Sequence, residues 1–424
     1  MPKAASSEVA AAVADAHRRE WAFVLAATVS ITGNLDSAEE AVQDAYASAL
    51  ATWGPRGIPD NTGAWLTTVA RRRALDIRRR AQTAKRVLPK LVERTDDPGF
   101  DQIDEDVPDD RLRLIFTCCH PSLAIEAQVA LTLRLVCGLS TVDVARAFLL
   151  PEPTMAARIT RAKKKINDAH IPYRIPTTPE LPERVEAVLS VVYLVFTTGH
   201  TAPSGASLMR RDLAERGHEL ARMLRLLLPA NRDVAALLSL ILLTDARRDG
   251  RTNASGQLVL LADQDRSRWD QRAISEGIAL LHEVLGRRAP SRFALMAAIA
   301  AVHDEAREWG DTDWPEIVGL YDLLLETWPS PVVALNRAIA VGFAVGPAEG
   351  LLQLDRLANE PQLSRYGYLA AARADFLARL GRTTEAKLAY EEAVILTDNE
   401  AEREFLAAKL ENSTGESRPW RDGP

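Results

Sequence analysis

Residues 139–166 read LSTVDVARAFLLPEPTMAARITRAKKKI. Ser140 stands where a cap opens a short helix, with Asp143 three residues on. Val144, Ala145 and Phe148 give that helix one apolar side. LLPEP makes a turn, and Pro153 and Thr154 open a second helix that ends near Ile166. On a wheel of about 100° per residue, Met155, Ile159, Ala162 and Ile166 share one narrow sector. Thr154, Ala157, Arg158, Arg161, Lys164 and Lys165 fill much of the rest. A small-residue, basic face on the second helix of such a pair suits a DNA major groove. Arginine pairs with guanine edges and lysine neutralises phosphate. The bland reading is a helical hairpin with a solvated basic face. Cap, turn, apolar spacing and basic face together favour duplex DNA, with Ser140, Thr154, Arg158, Arg161, Lys163, Lys164 and Lys165 as candidate contacts.

Upstream, DSAEEAVQDAYASALATW at 36–53 predicts another helix. Its apolar positions, from Ala38 and Val42 to Tyr46 and Trp53, keep helical spacing, and Ser37 with Glu40 spells a capping box. Gly54, Pro55 and Gly57 are expected to stop it. A further helix is expected from Asn61 or Thr62, with Trp65, Leu66, Val69, Ala70 and Ile77 on its apolar side. Its later half carries Arg71, Arg72, Arg73, Arg78, Arg79 and Arg80, more cations than a helix dipole requires. A solvated helix end or a nonspecific nucleic-acid arm explains such a run on its own. Basic groups beside an aromatic such as Trp65 also suit unstacked single strands, although Trp65 in a core is the simpler reading.

Charge then reverses. Residues 71–94 hold ten basic and two acidic residues, and residues 95–110 hold eight acidic residues and no basic ones. Pro98, Gly99 and Pro108 punctuate that stretch, which predicts a flexible linker over 81–110 between two modules, at 10–80 and 111–170. The net charge of −6 therefore does not argue against nucleic acid, because the charge is segregated along the chain. A helix is expected over Ala124–Val136, ended by Gly138. Prolines 172, 176, 179 and 182 mark the next boundary. Residues 180–412 read as helix pairs, and GRTTEAKLAYEEAVIL at 381–396 has tetratricopeptide-like spacing, with a weaker copy near Gly346. Residues 413–424 read as a disordered tail. With helical periodicity throughout, the fold class is all-α.

At 424 residues the chain is long enough for two to four domains. Cys118, Cys119 and Cys137 form no spaced framework, which fits a reducing cytoplasm. The N-terminal residues lack the apolar core of a signal peptide, and no apolar run reaches a membrane span, so a cytoplasmic location without membrane contact is expected. Adjacent cysteines beside His120 lack zinc spacing, and no metal or other cofactor is expected. The group Asp263, Asp265, Arg266, Arg268, Trp269 and Asp270 reads first as a capped helix start with surface ion pairs, with a ligand or interdomain contact as the alternative. No nucleophile elbow, phosphate loop or dinucleotide fingerprint is found, and the chain is not expected to be an enzyme.

DSAEEAVQDAYASALATW, PDNTGAWLTTVARRRALDIRRR and LSTVDVARAFLLPEPTMAARITRAKKKI, in this order across an acidic linker, resemble the extracytoplasmic-function (ECF) sigma factors of bacterial RNA polymerase. LRLIFTCCHPSL, LVLLADQDRSRW, DTDWPEIVGLYDLLL and SPVVALNRAIAV resemble the group with a C-terminal tetratricopeptide-like extension. YLVFTTGHTAPSG departs from it, with Thr197, Thr198, Gly199 and His200 where an Asn-Glu-Gly-Tyr type sequence is expected. The resemblance implies that Asp36, Glu39, Glu40, Gln43 and Asp44 bind core RNA polymerase. It implies that Asp60, Asn61, Trp65 and the six arginines contact and help to open the −10 promoter element, and that the helix-turn-helix reads the −35 element. The size and covalent attachment of the C-terminal domain point to an intramolecular contact that regulates the sigma modules, or to a protein or peptide partner. The competing reading is a helix-turn-helix regulator with a repeat-type sensor domain that never engages core polymerase.

Overall fold

Helix α2 (Leu35–Arg56) carries the residues that organise the first part of the molecule. Ala38, Ala41, Val42, Ala45 and Ala49 are fully buried, and side chains this small let α1 (Pro2–Thr32) and α3 (Thr62–Val87) approach closely. Trp53 and Tyr46 from α2, Trp21 and Leu25 from α1, and Leu66, Ala70 and Ala74 from α3 complete that core. The computed structural model describes residues 2–87, 110–148, 150–202, 204–286 and 289–412. Among the described residues there are helices and two isolated bridges but no strand, so the chain is all-α. The tail expected at 413–424 and most of the linker expected at 81–110 lie outside the described residues.

Three local expectations are corrected. The cap of α2 is Asn34, whose side chain accepts the Ser37 amide at 3.0 Å, in place of a Ser37–Glu40 box. The helix also runs past Gly54 and Pro55 to Arg56, and Gly57, at φ +84°, ends it. The helix expected over Ala124–Val136 is α5 (Ile125–Leu131) followed by a π turn, Thr132–Val136, closed by the Cys137 amide on Thr132 O at 3.0 Å.

The chain divides into two compact units, residues 1–194 and 195–424, with the division inside α8 (Leu181–His200). The first unit holds α1–α3 together with α4 (Asp110–Cys118), α5, α6 (Thr141–Ala147) and α7 (Glu152–Asp168). Both modules expected from the sequence therefore fall in one packed unit. Trp21 joins them, donating its indole N–H to Leu135 O at 3.0 Å from a site only 3% exposed. Tyr173 adds a hydrogen bond to Ala26 O at 3.0 Å. Arg184 at the start of α8 donates to Phe116 O.

The second unit runs from α9 (Arg211–Leu227) to α18 (Glu400–Asn412), its successive helices packed as neighbours. Gly346 (φ +145°) and Gly381 (φ +73°) turn the chain into α15 (Pro347–Arg356) and α17 (Thr383–Leu396), at the two expected repeat starts. A Cβ on Gly199 would lie 2.2 Å from Ala214 N, so the departing Thr-Thr-Gly-His stretch is a close helix–helix approach. In the Asp263–Asp270 group, Asp265 and Asp270 cap helices, and Arg266 lies over the Trp269 ring, 4.5 Å from its centre. Among the described residues no helix is long and apolar enough to cross a membrane.

Gly138 follows the π turn at φ +70°, and a Cβ there would sit 2.9 Å from Trp21 Cγ. Gly138→Ala should therefore cost roughly 1–3 kcal/mol, from backbone strain and overpacking together. A lowered thermal midpoint with an unchanged helical circular-dichroism spectrum is the expected result. In the second unit, burial raises the Asp304 carboxyl to about 7, against the lowering effect of Arg247 and Arg266. A raised carboxyl favours folding least when ionised, so stability should fall as pH rises from about 4 to 7. Asp304→Asn should flatten that slope in a series of melts across this range.

Candidate nucleic-acid interface

Helices α6 and α7 are set by their caps. The Ser140 hydroxyl accepts the Asp143 amide at 3.1 Å and donates to Asp143 Oδ2 at 2.6 Å. Ser140 is thus committed to starting α6, whatever else it contacts. Pro151 precedes α7 and Pro153 lies in its first turn, where a missing N–H costs nothing. Met155, Ile159, Ala162 and Ile166 are buried, as the wheel requires. Thr154, Arg161, Lys164 and Lys165 are exposed and Arg158 is half-buried. Together they form a basic face along a 17-residue helix.

Lys163 does not share that face. It is buried on the opposite shoulder of the apolar sector, about 160° from Lys165 on the wheel. Its ammonium lies 2.7 Å from Asp36 Oδ1 and 2.5 Å from Glu39 Oε2, both on α2. Burial opposes its charge, but Glu39 and Asp36 more than offset this, so its pKa is raised. Arg134, a lone cation in the apolar run of the π turn, places Nη2 2.6 Å from Glu39 Oε1. The Glu39 carboxylate, 7% exposed, thus sits between two cations of the second module. In the sequence, the charge of Arg134 inside ALTLRLV is the one local signal of this pairing.

Of the five candidate polymerase contacts, Asp36, Glu40, Gln43 and Asp44 are exposed on α2, while Glu39 is covered. Along α3, Arg71, Arg72, Arg73, Arg78, Arg79 and Arg80 are all exposed. Arg73 stands 3.9 Å from Asp44, and Arg79 stands 3.9 Å from Asp76. Asn61 accepts the Ala64 amide at 2.9 Å and caps α3. Asp60 beside it is exposed. Trp65 is half-buried, its ring edge-on to Trp53 at 5.5 Å. Cys118 and Cys119 are buried thiols, and burial pushes Cys119 up to about 12. Among the described residues no three His, Cys, Asp or Glu side chains gather to hold a metal ion.

Residues 17–84 match the family described as sigma-70 region 2, and residues 113–166 match sigma-70, region 4. The chain belongs to the sigma-70 family. It is an RNA polymerase sigma factor, and its two modules serve promoter recognition. Residues 184–285 of this sigma factor match a family of unknown function. An uncharacterized protein of Rhizobium meliloti (strain 1021) is 39% identical to it over 389 residues, 90% of this chain and 91% of the relative. No solved structure matches it.

The two kinds of basic group on α7 should separate in binding assays with a −35 duplex. Arg161→Ala, if the guanidinium reads a guanine edge, should weaken binding by about 1–3 kcal/mol and relax sequence preference at one position. Lys164→Ala, at a phosphate, should weaken all duplexes alike and lower the log–log salt slope by about 1.

Proposed function

We propose that this sigma factor is of the ECF class with a tetratricopeptide-like extension, and that it binds core polymerase through the acidic face of α2. The observation that carries this reading is the pairing of two separate basic surfaces in one chain. One, on α7, has the geometry for duplex readout; the other, on α3, stands beside a half-buried tryptophan and suits a displaced strand. Opening a promoter requires both, because melting must hold a strand while a duplex anchor keeps the register. Thr154, Arg158, Arg161, Lys164 and Lys165 read the −35 element. Asp60, Asn61, Trp65 and the arginines from Arg71 to Arg80 engage the −10 element. Asp36, Glu39, Glu40, Gln43 and Asp44 supply the negative surface for core polymerase.

The helical unit from Val195 onward regulates initiation or receives a protein or peptide partner. Its glycine-turned helix pairs at Gly346 and Gly381 support a repeat-built binding surface. A truncation that tests this must spare Arg184, whose guanidinium is held on Phe116 O in the first unit. A cut after His200 meets that condition, and altered promoter output or control is the expected result.

Run-off transcription with purified core polymerase on a promoter library tests the main reading. Core-dependent initiation at a defined pair of elements is expected, and replacing Arg71, Arg72 and Arg73 by alanine should reduce open-complex formation more than duplex binding. Duplex binding with no core-dependent initiation would favour a plain helix-turn-helix regulator.

A further inference from the structure

Helix α18 returns to the start of the second unit and is pinned there by one side chain. Asn399, 1% exposed, donates from Nδ2 to Ala202 O at 3.0 Å and to Ser207 O at 2.9 Å, and its Oδ1 accepts the Glu402 amide at 3.1 Å. The Glu400 amide adds a bond to Gly205 O at 2.9 Å. A third stretch is fixed beside them. Arg251 donates to His200 O, and Asn253 Oδ1 closes a turn by accepting the Ser255 and Gln257 amides, both at 3.0 Å. Residues 206–212, 252–258 and 401–408 of these stretches wall a cleft of about 920 Å³. That is roughly the size of sites that hold small ligands, about 300–1,000 Å³. Hydrogen bonds hold all three walls, so the cleft is formed before anything enters it.

The chemistry of the cleft specifies its occupant. From α18 it is lined by Ala401, Glu404, Phe405 and Ala408, one face at helical spacing. The two alanines are small, and Phe405 between them is half-buried. Arg210 faces Asp212 at 3.5 Å and Arg211 faces Asp249 at 3.7 Å, so these arginines already have acids. Glu404 is exposed and, among the described residues, forms no ion pair. A segment that fills the cleft must bring a cation for Glu404 and an apolar group for Phe405. The sequence after α18 carries both. That helix ends at Asn412, one turn past Ala408, and the chain continues STGESRPWRDGP. Arg418 and Arg421 flank Trp420, the only large apolar side chain after Leu410. Ser413 and Gly415 are residue types that favour a turn.

We propose that residues 416–422 bind in this cleft, with Trp420 against Phe405 and the flanking arginines at Glu404. The reach agrees. A segment that turns at 413–415 and runs back along α18 advances ~3.3 Å per residue against ~1.5 Å per helical residue, which brings Trp420 level with Glu404 and Phe405. The cleft is then a peptide site that the chain fills for itself, and a partner segment of the same basic and aromatic chemistry enters only by displacing it. The inference is independent of polymerase binding.

The test uses the full chain with p-benzoylphenylalanine in place of Trp420. Irradiation should join it, within one chain, to residues 206–212, 252–258 or 401–408, located by peptide mass spectrometry, with a yield that does not change on dilution. Glu404→Arg, at an exposed position, should cut that yield about fivefold or more, and adding Arg418→Glu and Arg421→Glu should restore it. A fluorescent peptide of residues 415–423 should bind full-length Trp420→Ala at least about tenfold more tightly than the wild type, whose tethered segment competes at an effective concentration in the millimolar range. Cross-links scattered over other surfaces, cross-links only between two chains, or a Glu404→Arg yield equal to that of the parent chain would each overturn docking in the cleft. Equal binding of the peptide to the wild type and to Trp420→Ala would overturn it as well.

Discussion

A carboxylate removed from water loses several kcal/mol of hydration, and Glu39 regains it only through cations brought from another part of the chain. That requirement shapes the first unit. Lys163 has to lie on the shoulder of α7 nearest α2, and Arg134 has to emerge from the π turn toward the same point. The π turn widens the helix by one residue at this place, and Gly138 then lets the chain pass over Trp21. Charge pairing, backbone irregularity and aromatic packing therefore answer one local demand. Removing a single partner would leave a buried charge uncompensated, which is costlier than never having buried the pair.

The same demand separates two roles on α7. Its apolar sector anchors the helix, one shoulder carries Lys163 toward α2, and the remaining surface presents Arg158, Arg161, Lys164 and Lys165. A lysine next to another lysine and two residues from an arginine looks like part of one basic run in the sequence. On the helix it belongs to a different surface.

Much of this architecture can be read from residues alone. The alanine-rich stripe from Ala38 to Ala49 and the Met155, Ile159, Ala162, Ile166 sector mark buried faces because helical spacing leaves no other way to hide them. The arginine run of α3 is visible for the complementary reason: so many cations cannot be buried. The failures share a different origin. The Asn34 cap competed with an equally well-formed Ser37–Glu40 pattern, and only the chain entering from Gly33, at φ +64°, decides between them. The π turn hides in IEAQVALTLRLV because its apolar pattern is continuous. Burial of Lys163 depends on carboxylates 127 and 124 residues away, a long-range pairing that local periodicity does not encode.

Helix α7 also meets salt in two ways. Its outward lysines and arginines face solvent, where dissolved ions compete for phosphate and weaken a DNA grip steeply. Its inward lysine is 11% exposed and pairs with a carboxylate 7% exposed, and a partly buried pair of this kind is screened less. Rising ionic strength therefore loosens the promoter side of the helix well before the protein side.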